Sequence, residues 1–248
     1  MPGIIEAGAL KKYFGSTRAV NGIEFSVSEG EIFGIVGPDG SGKTTTVRLC
    51  AGVMEPTSGM ITVGGFRVPE EAEKARNLIG YMPQKFSLYE DLSVEENINF
   101  FADLYMIPKE KRRERILQLY RFSRLEEFKT RLAGRLSGGM QKKLALTCAL
   151  INFPKILILD EPTIGGDPLS REELWSMLVN LNKNDGISVL VTTSYMDEVD
   201  RFDRVALIYK GSFLKTGRPS EIAGKDKSFE DAFIENIKSA ASVNGSGQ

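Results

Sequence analysis

The sequence predicts an α/β fold with a mostly parallel sheet, antiparallel strands at the N-terminus and an inserted helical stretch. Three observations carry this. A short apolar run, Glu31 to Val36, leads into a glycine-rich loop and then a helix-like run. A second apolar run, Ile156 to Leu159, ends on Asp160-Glu161 and reads as a parallel strand buried on both faces. Between them, Pro108 to Leu132 is charged and amphipathic and lacks strand signals. The 248 residues suit one large domain with an insertion.

In chain order, Ile4 to Val27 alternates apolar and polar residues in two runs around Gly15-Ser16, as antiparallel strands do. Tyr13 and Val20 flank that turn. An aromatic there either stacks on an adenine ring or fills a core, and position alone favours the core.

Residues 37 to 45 read Gly37-Pro38-Asp39-Gly40-Ser41-Gly42-Lys43-Thr44-Thr45, which matches G-x-x-x-x-G-K-[ST]. The glycines let successive backbone N–H groups turn inward toward phosphate oxygens. The helix N-terminus adds positive potential, Lys43 reaches the outer phosphates, and the Thr44 hydroxyl can ligate Mg²⁺. Strand, loop and helix in that order define a P-loop NTPase core and imply a bound nucleoside triphosphate.

Gly59 to Gly65 reads as a strand and turn, and Ile79 to Met82 as a short strand stopped by Pro83 and followed by Gln84. Ser93-Val94-Glu95-Glu96 is a capping box that opens a helix from about Val94 to Met106. The charge run Lys109 to Arg115 reads as a solvated helix face. The helical insertion is expected over about 86–153. A helix over Ser170 to Asn182, a strand over Ser188 to Thr192, and a hairpin turning at Lys210-Gly211 complete the core. The domain is expected over 1–238, and the small polar residues 239–248 read as a flexible tail or linker.

Two further features carry chemistry. Asp160 at a strand's carboxyl end can hold Mg²⁺ through water, and Glu161 beside it can deprotonate an attacking water. Ser137-Gly138-Gly139 ahead of a helix offers a hydroxyl, bare amides and a helix N-terminus to an anion, or else is a plain N-cap. It has no lysine, which argues against a second independent nucleotide site.

Composition sets bounds. A net charge of −1 gives no global basic field for nucleic acid. No apolar run reaches the roughly 20 residues that cross a bilayer, so any membrane role is expected through a partner. With no histidine in the chain, histidine acid–base catalysis is excluded. Cys50 and Cys148 lie in apolar helix-like runs and read as buried free thiols.

Taken together, these motifs resemble the nucleotide-binding subunit of ATP-binding cassette (ABC) transporters over about Ile4 to Ser239. Leu136-Ser137-Gly138-Gly139-Met140-Gln141 looks like the family's signature motif, and Ile156 to Pro162 like its second Walker motif. Gln84 matches the glutamine loop, with roles in catalysis and at the metal. Asp167 matches the D-loop, and Tyr13 the aromatic that stacks on adenine, which reverses the reading from position alone. The resemblance implies a head-to-tail dimer in which each ATP lies between one P-loop and the partner's serine–glycine loop. It also implies a membrane-spanning permease docked near Gln84, with the chain cytoplasmic on the inner face of the membrane.

The Gly-Gly-Met signature and the Tyr195-Met196-Asp197-Glu198 run look most like exporter-type members that handle drugs, lipids or polysaccharides. Three positions depart from the family pattern. Asp39 replaces the usual Asn, Gly166 the usual Leu, and Ser194 the switch histidine. A serine donates one hydrogen bond and carries no positive charge, which implies a slow or degenerate site, more naturally paired with an active second cassette than with its own copy. The rival readings are a regulatory cassette without turnover and a soluble ABC ATPase outside transport.

Overall fold

The structure is a computed structural model that describes residues 3–85, 88–224 and 227–245. The chain opens with β1 (Ile5–Phe14) and β2 (Thr17–Val27), followed by β3 (Ile32–Val36) and α1 (Lys43–Cys50). β4 (Ser58–Val63), β5 (Phe66–Val68), α2 (Ala72–Arg76) and β6 (Ile79–Met82) come next. Between β6 and β7 (Ile156–Asp160) lie α3 (Val94–Leu104), α4 (Lys109–Ser123), two short 3-10 turns and α5 (Gly138–Ala149). The chain closes with α6 (Pro168–Asp185), β8 (Ser188–Thr193), β9 (Arg204–Tyr209), β10 (Ser212–Gly217), α7 (Pro219–Ala223) and α8 (Phe229–Gly245).

Two sheets form. One is antiparallel in the order β2-β1-β4-β5, and the other has the order β10-β9-β3-β8-β7-β6. In the larger sheet β9, β3, β8, β7 and β6 are parallel, and β10 alone pairs antiparallel at the edge. Strand alternation splits the interior into two cores. Ile156 and Ile158 face the core shared with α1 and the antiparallel sheet, whereas Leu157 and Leu159 face the core beneath α5 and α6. All five residues of β3 and of β7 are buried, as their unbroken apolar runs require.

Local chemistry sets the element ends. Ser93 and Glu96 form the reciprocal capping box of α3. That helix stops at Leu104, short of the expected Met106, because Met106 sits at φ 51 in the left-handed region. The solvated-face reading of Lys109 to Arg115 holds for Lys109, Lys111 and Arg113, which are exposed. Arg112 and Arg115 are instead half-buried, the first paired with Asp103 at 2.7 Å and the second lying over the Phe153 ring at 3.9 Å. The stretch expected as a tail from Ser239 continues α8 to Gly245, which fits the alanines at 240 and 241. Residues 246–248 lie outside the described residues. Cys50 and Cys148 are buried free thiols, and burial pushes Cys50 up to about 12 and Cys148 up as well.

Candidate functional site

At the carboxyl edge of the parallel sheet, β3, β7 and β8 deliver three segments to one point. β3 leads into the loop that carries Lys43. Gly37 has no room for a side chain, since a Cβ there would lie 2.3 Å from the Ile208 carbonyl oxygen. Gly42 takes φ 109, and its Cβ would lie 2.3 Å from the Ala19 oxygen. The loop therefore packs backbone against backbone, which only glycine permits.

Lys43 Nζ, with its side chain 4% exposed, pairs with Glu161 Oε1 at 2.9 Å. It also donates to the carbonyl oxygens of Gly37 (2.6 Å) and Pro38 (3.0 Å) and to Ser194 Oγ (2.9 Å). Ser194 Oγ in turn donates to Glu161 Oε1 at 2.8 Å, and Asp39 Oδ1 lies 3.4 Å from it. Gln84 Nε2 donates to the other carboxylate oxygen, Oε2, at 3.0 Å. Glu161 is held at φ 48, an unusual conformation for a non-glycine residue and one that clusters at functional sites. Its N–H donates to Thr192 O and Thr192 Oγ1, which fixes the bend.

Asp160 sits beneath this group. Its Oδ1 accepts from Thr44 Oγ1 (3.1 Å) and Thr192 Oγ1 (2.9 Å). Its Oδ2 is buried with no hydrogen-bond partner among the described residues. Burial raises the carboxyl above its ordinary range, opposed by the two threonine hydroxyls.

These residues meet a cleft of about 550 Å³ lined by Thr44, Thr45, Gly40, Gln84 and Glu161 on one side and by Thr17, Arg18, Ala19 and Lys210 on the other. A model of the family described as "ABC transporter" matches residues 20–164, which span the P-loop, Gln84, Ser137–Gly139 and Asp160-Glu161. The chain belongs to the ABC transporter ATP-binding proteins.

Relatives agree. The chain is 40% identical over 241 residues to the probable multidrug ABC transporter ATP-binding protein YbhF of Escherichia coli (strain K12). That match takes in 94% of this chain and 42% of YbhF, so the chain spans less than half of that relative. It is 34% identical to the linearmycin resistance ATP-binding protein LnrL of Bacillus subtilis (strain 168), over 97% of this chain and 81% of LnrL. Among solved structures, the dimeric ATP-binding cassette MJ0796 in a post-hydrolysis state with ADP and Pi superposes with a TM-score of 0.78 at 28% identity. That alignment covers 86% of this chain and 98% of MJ0796.

The cassette's residues fit a magnesium nucleotide. Among the described residues no donor reaches the buried Asp160 Oδ2, and Ser41 Oγ is likewise buried without a partner there. The Thr44 hydroxyl, one carboxylate oxygen and a nearby amide are the oxygen donors that Mg²⁺ accepts when phosphates complete its shell.

Other expected residues lie apart. Ser137 caps α5, its Oγ accepting from Met140 N at 3.3 Å. A Cβ on Gly138 would meet open space, whereas one on Gly139 would lie 2.2 Å from Ser170 Oγ on α6. Asp167 caps α6, and both its oxygens bind Ser170 (3.0 Å to N, 2.6 Å to Oγ), which holds its carboxyl below the ordinary range. Among the described residues no hydrogen bond or ion pair joins this second group to the P-loop. Tyr13 and Val20, the residues expected at the nucleotide base, lie on either side of the β1–β2 turn, Tyr13 half-buried. Tyr13 donates its hydroxyl to Asn21 at 2.9 Å, and its ring lies 5.7 Å from the Arg18 guanidinium. Val20 points into the core and is fully buried, while Ala19 beside it lines the cleft.

Sequence reasoning missed Thr192, Arg18 and Lys210. Lys210 stood out only as a turn residue, and Arg18 only as part of the hairpin before the P-loop. A count of cations flanking the loop was the one signal that would have found Arg18 and Lys210.

Proposed function

We propose that this chain binds MgATP in the cleft and hydrolyses it with Glu161 as general base, powering export through a membrane-embedded permease. The observation that carries this reading is the buried Lys43–Glu161 pair beside an unsatisfied Asp160 oxygen. The backbone of Gly37 to Thr45 orients the phosphates, and Lys43 neutralises their charge. As Lys43 turns from Glu161 toward phosphate, the carboxylate oxygen it held is freed to accept a proton from water. Gln84 and Ser194 hold the two carboxylate oxygens and so orient them. Thr44, Asp160 and Gln84 would hold Mg²⁺, which when bound neutralises charge on the transferring phosphoryl oxygens. Tyr13 stacks on adenine. Ser137, Gly138, Gly139 and Asp167 serve the ATP of a second cassette in a head-to-tail dimer, as the separation of the two groups within one chain suggests.

An apolar groove of about 470 Å³ beside Pro83, lined by Tyr81, Met82, Leu88, Phe101, Leu104 and Tyr105, is our seat for the permease. Among the described residues no helix is long and apolar enough to cross a membrane, so membrane placement rests on that partner, with the cassette on the cytoplasmic face. The relatives named for multidrug transport and linearmycin resistance support export as the direction. Phosphate release by the purified chain, alone and with membranes holding the permease, tests the reading. Release should require Mg²⁺ and rise with the membranes. Tight ATP binding with no release in either arm would favour a regulatory cassette.

Ser194 favours one refinement: the second cassette is a different one that carries a histidine at this position. A relative of which this chain spans 42% has room for such a fusion. Ser194→His should then raise the slow hydrolysis of the isolated chain, whereas fast, cooperative hydrolysis by the unaltered chain would rule the refinement out.

A further inference from the structure

The Tyr195-Met196-Asp197-Glu198 run follows Ser194 directly, and the nucleotide chemistry uses none of it. In the structure three of its four side chains converge on one guanidinium. Arg171, in the first turn of α6, donates from Nη2 to both carboxylate oxygens of Asp197, at 2.9 and 3.0 Å. The same group donates to Glu198 Oε1, from Nε at 3.3 Å and Nη2 at 3.1 Å. Its planar face lies 4.2 Å from the Tyr195 ring centre.

Glu198 is 2% exposed, and its other oxygen accepts from Thr193 Oγ1 at 2.7 Å. Thr193 Oγ1 then accepts from Tyr195 N at 3.0 Å. Ser194 thus sits between two residues, Thr193 and Tyr195, that are both tied to this network. Gly166 belongs to it as well, since a Cβ there would lie 3.4 Å from Arg171 Cγ, 3.1 Å from the Thr163 oxygen and 3.0 Å from Lys142 Nζ. The departure from leucine at that position leaves room for the arginine stem.

We propose that Arg171 is a positioning residue for hydrolysis: it clamps the 195–198 turn to α6 and so sets Ser194 against Glu161. This rests on the reading of Ser194 as an orienting group for Glu161. A rigid planar fork satisfies two carboxylates and a ring face at once, which an ammonium cannot do. Arg171 starts four residues after Asp167, so the clamp also ties Ser194 to the helix whose N-terminus lies beside the serine–glycine loop.

The test is a mutant cycle on the full chain, with ATP hydrolysis, affinity for a fluorescent ATP analogue, and amide hydrogen exchange as readouts. Arg171→Gln should lower kcat on the order of 10- to 10²-fold, the range that small misplacements cost, with nucleotide affinity unchanged. Arg171→Lys should recover only part of the loss, and Asp197→Asn, at an exposed partner, should show a weaker form of it. In a Ser194→Ala background Arg171→Gln should cost nothing further, because residues acting through one contact are not additive. Exchange at residues 193–198 should quicken in Arg171→Gln, with the β8 amides before Thr193 unaffected.

Losses that multiply in the double mutant, or a normal kcat with unchanged exchange in Arg171→Gln, would overturn the clamp and leave the Ser194 reading standing. Normal hydrolysis by Ser194→Ala would overturn both.

Discussion

The cluster around Lys43 and the edge formed by Ser137 and Asp167 answer the same need in opposite ways. Around Lys43 the ammonium and the carboxylates of Asp160 and Glu161 are buried, Asp160 is pushed up by burial, and Asp160 Oδ2 and Ser41 Oγ find no partner among the described residues. At the edge the polar groups are closed within the chain: Ser137 caps α5, and Asp167 spends both oxygens on Ser170 and is held low. One region is electrostatically unfinished and fits a ligand that completes it. The other is complete and offers chiefly bare backbone, with open space over Gly138. We propose that a chain with both holds one half of each of two sites, the arrangement a head-to-tail dimer needs. Substitutions that finish the first region or open the second should break the contrast.

The largest effect is expected from Lys43→Ala. Removing one partner of a buried pair leaves Glu161 uncompensated, which costs about 3–5 kcal/mol. Lys43→Ala should therefore melt well below the parent and lose tight MgATP binding in a fluorescent-analogue titration. Full affinity in a folded variant would mean that Lys43 does not meet phosphate. Glu161→Gln comes next. It keeps an acceptor for Lys43 and Ser194 but removes the base, which costs about 10²- to 10⁴-fold in turnover. Binding should persist, and an ATP-bound dimer should accumulate on size exclusion. A variant with parental turnover would reduce Glu161 to a strand terminus.

Contiguous motifs were legible in the sequence because their geometry is local. The P-loop, the capping box of α3 and the strand ending on Asp160-Glu161 each lie within a few residues. What escaped came from register between distant strands. Thr192 holds Asp160 because β7 and β8 run parallel with Asp160 opposite Thr192, a pairing that no periodicity within either strand reveals. Arg171 escaped for a similar reason, since its partners lie a whole strand further along the chain. Ser194 carried no local signal, the position of Tyr13 alone favoured a core role, and only resemblance to a family gave either a place at the nucleotide. The α8 extension was missed because small residues read as linker and as helix alike.

Asp160→Asn sharpens the contrast with a smaller effect of opposite sign. A carboxyl raised by burial favours its protonated form in the folded state. Its stabilisation is therefore present below the ordinary carboxylate range and is lost as pH rises through the raised value. At neutral pH without Mg²⁺ the parent carries the full penalty, so Asp160→Asn should melt higher there, and the advantage should vanish in acid. Added Mg²⁺-nucleotide should stabilise the parent and not the variant. A variant that melts lower at neutral pH would show that the carboxylate is already compensated within the chain.

The smallest effect is expected at the finished edge, where Ser137→Ala removes only a cap. A lost serine cap typically costs about 0.5–2 kcal/mol, and the 3.3 Å bond to Met140 N puts this one toward the lower end. For a chain of this size that is a fall of about 2–4 °C per kcal/mol in melting temperature. The same substitution tests what the edge is for. If Ser137 were only a cap, hydrolysis per folded molecule would stay at the parental level once stability is corrected for. If its hydroxyl meets a phosphate held by a second cassette, hydrolysis should fall steeply while each chain binds nucleotide as before, because the P-loop that binds is untouched. Assayed across protein concentrations, that deficit should grow where dimers dominate and shrink at dilution. A deficit independent of concentration would place the hydroxyl in its own chain's chemistry instead and erase the contrast between the two regions.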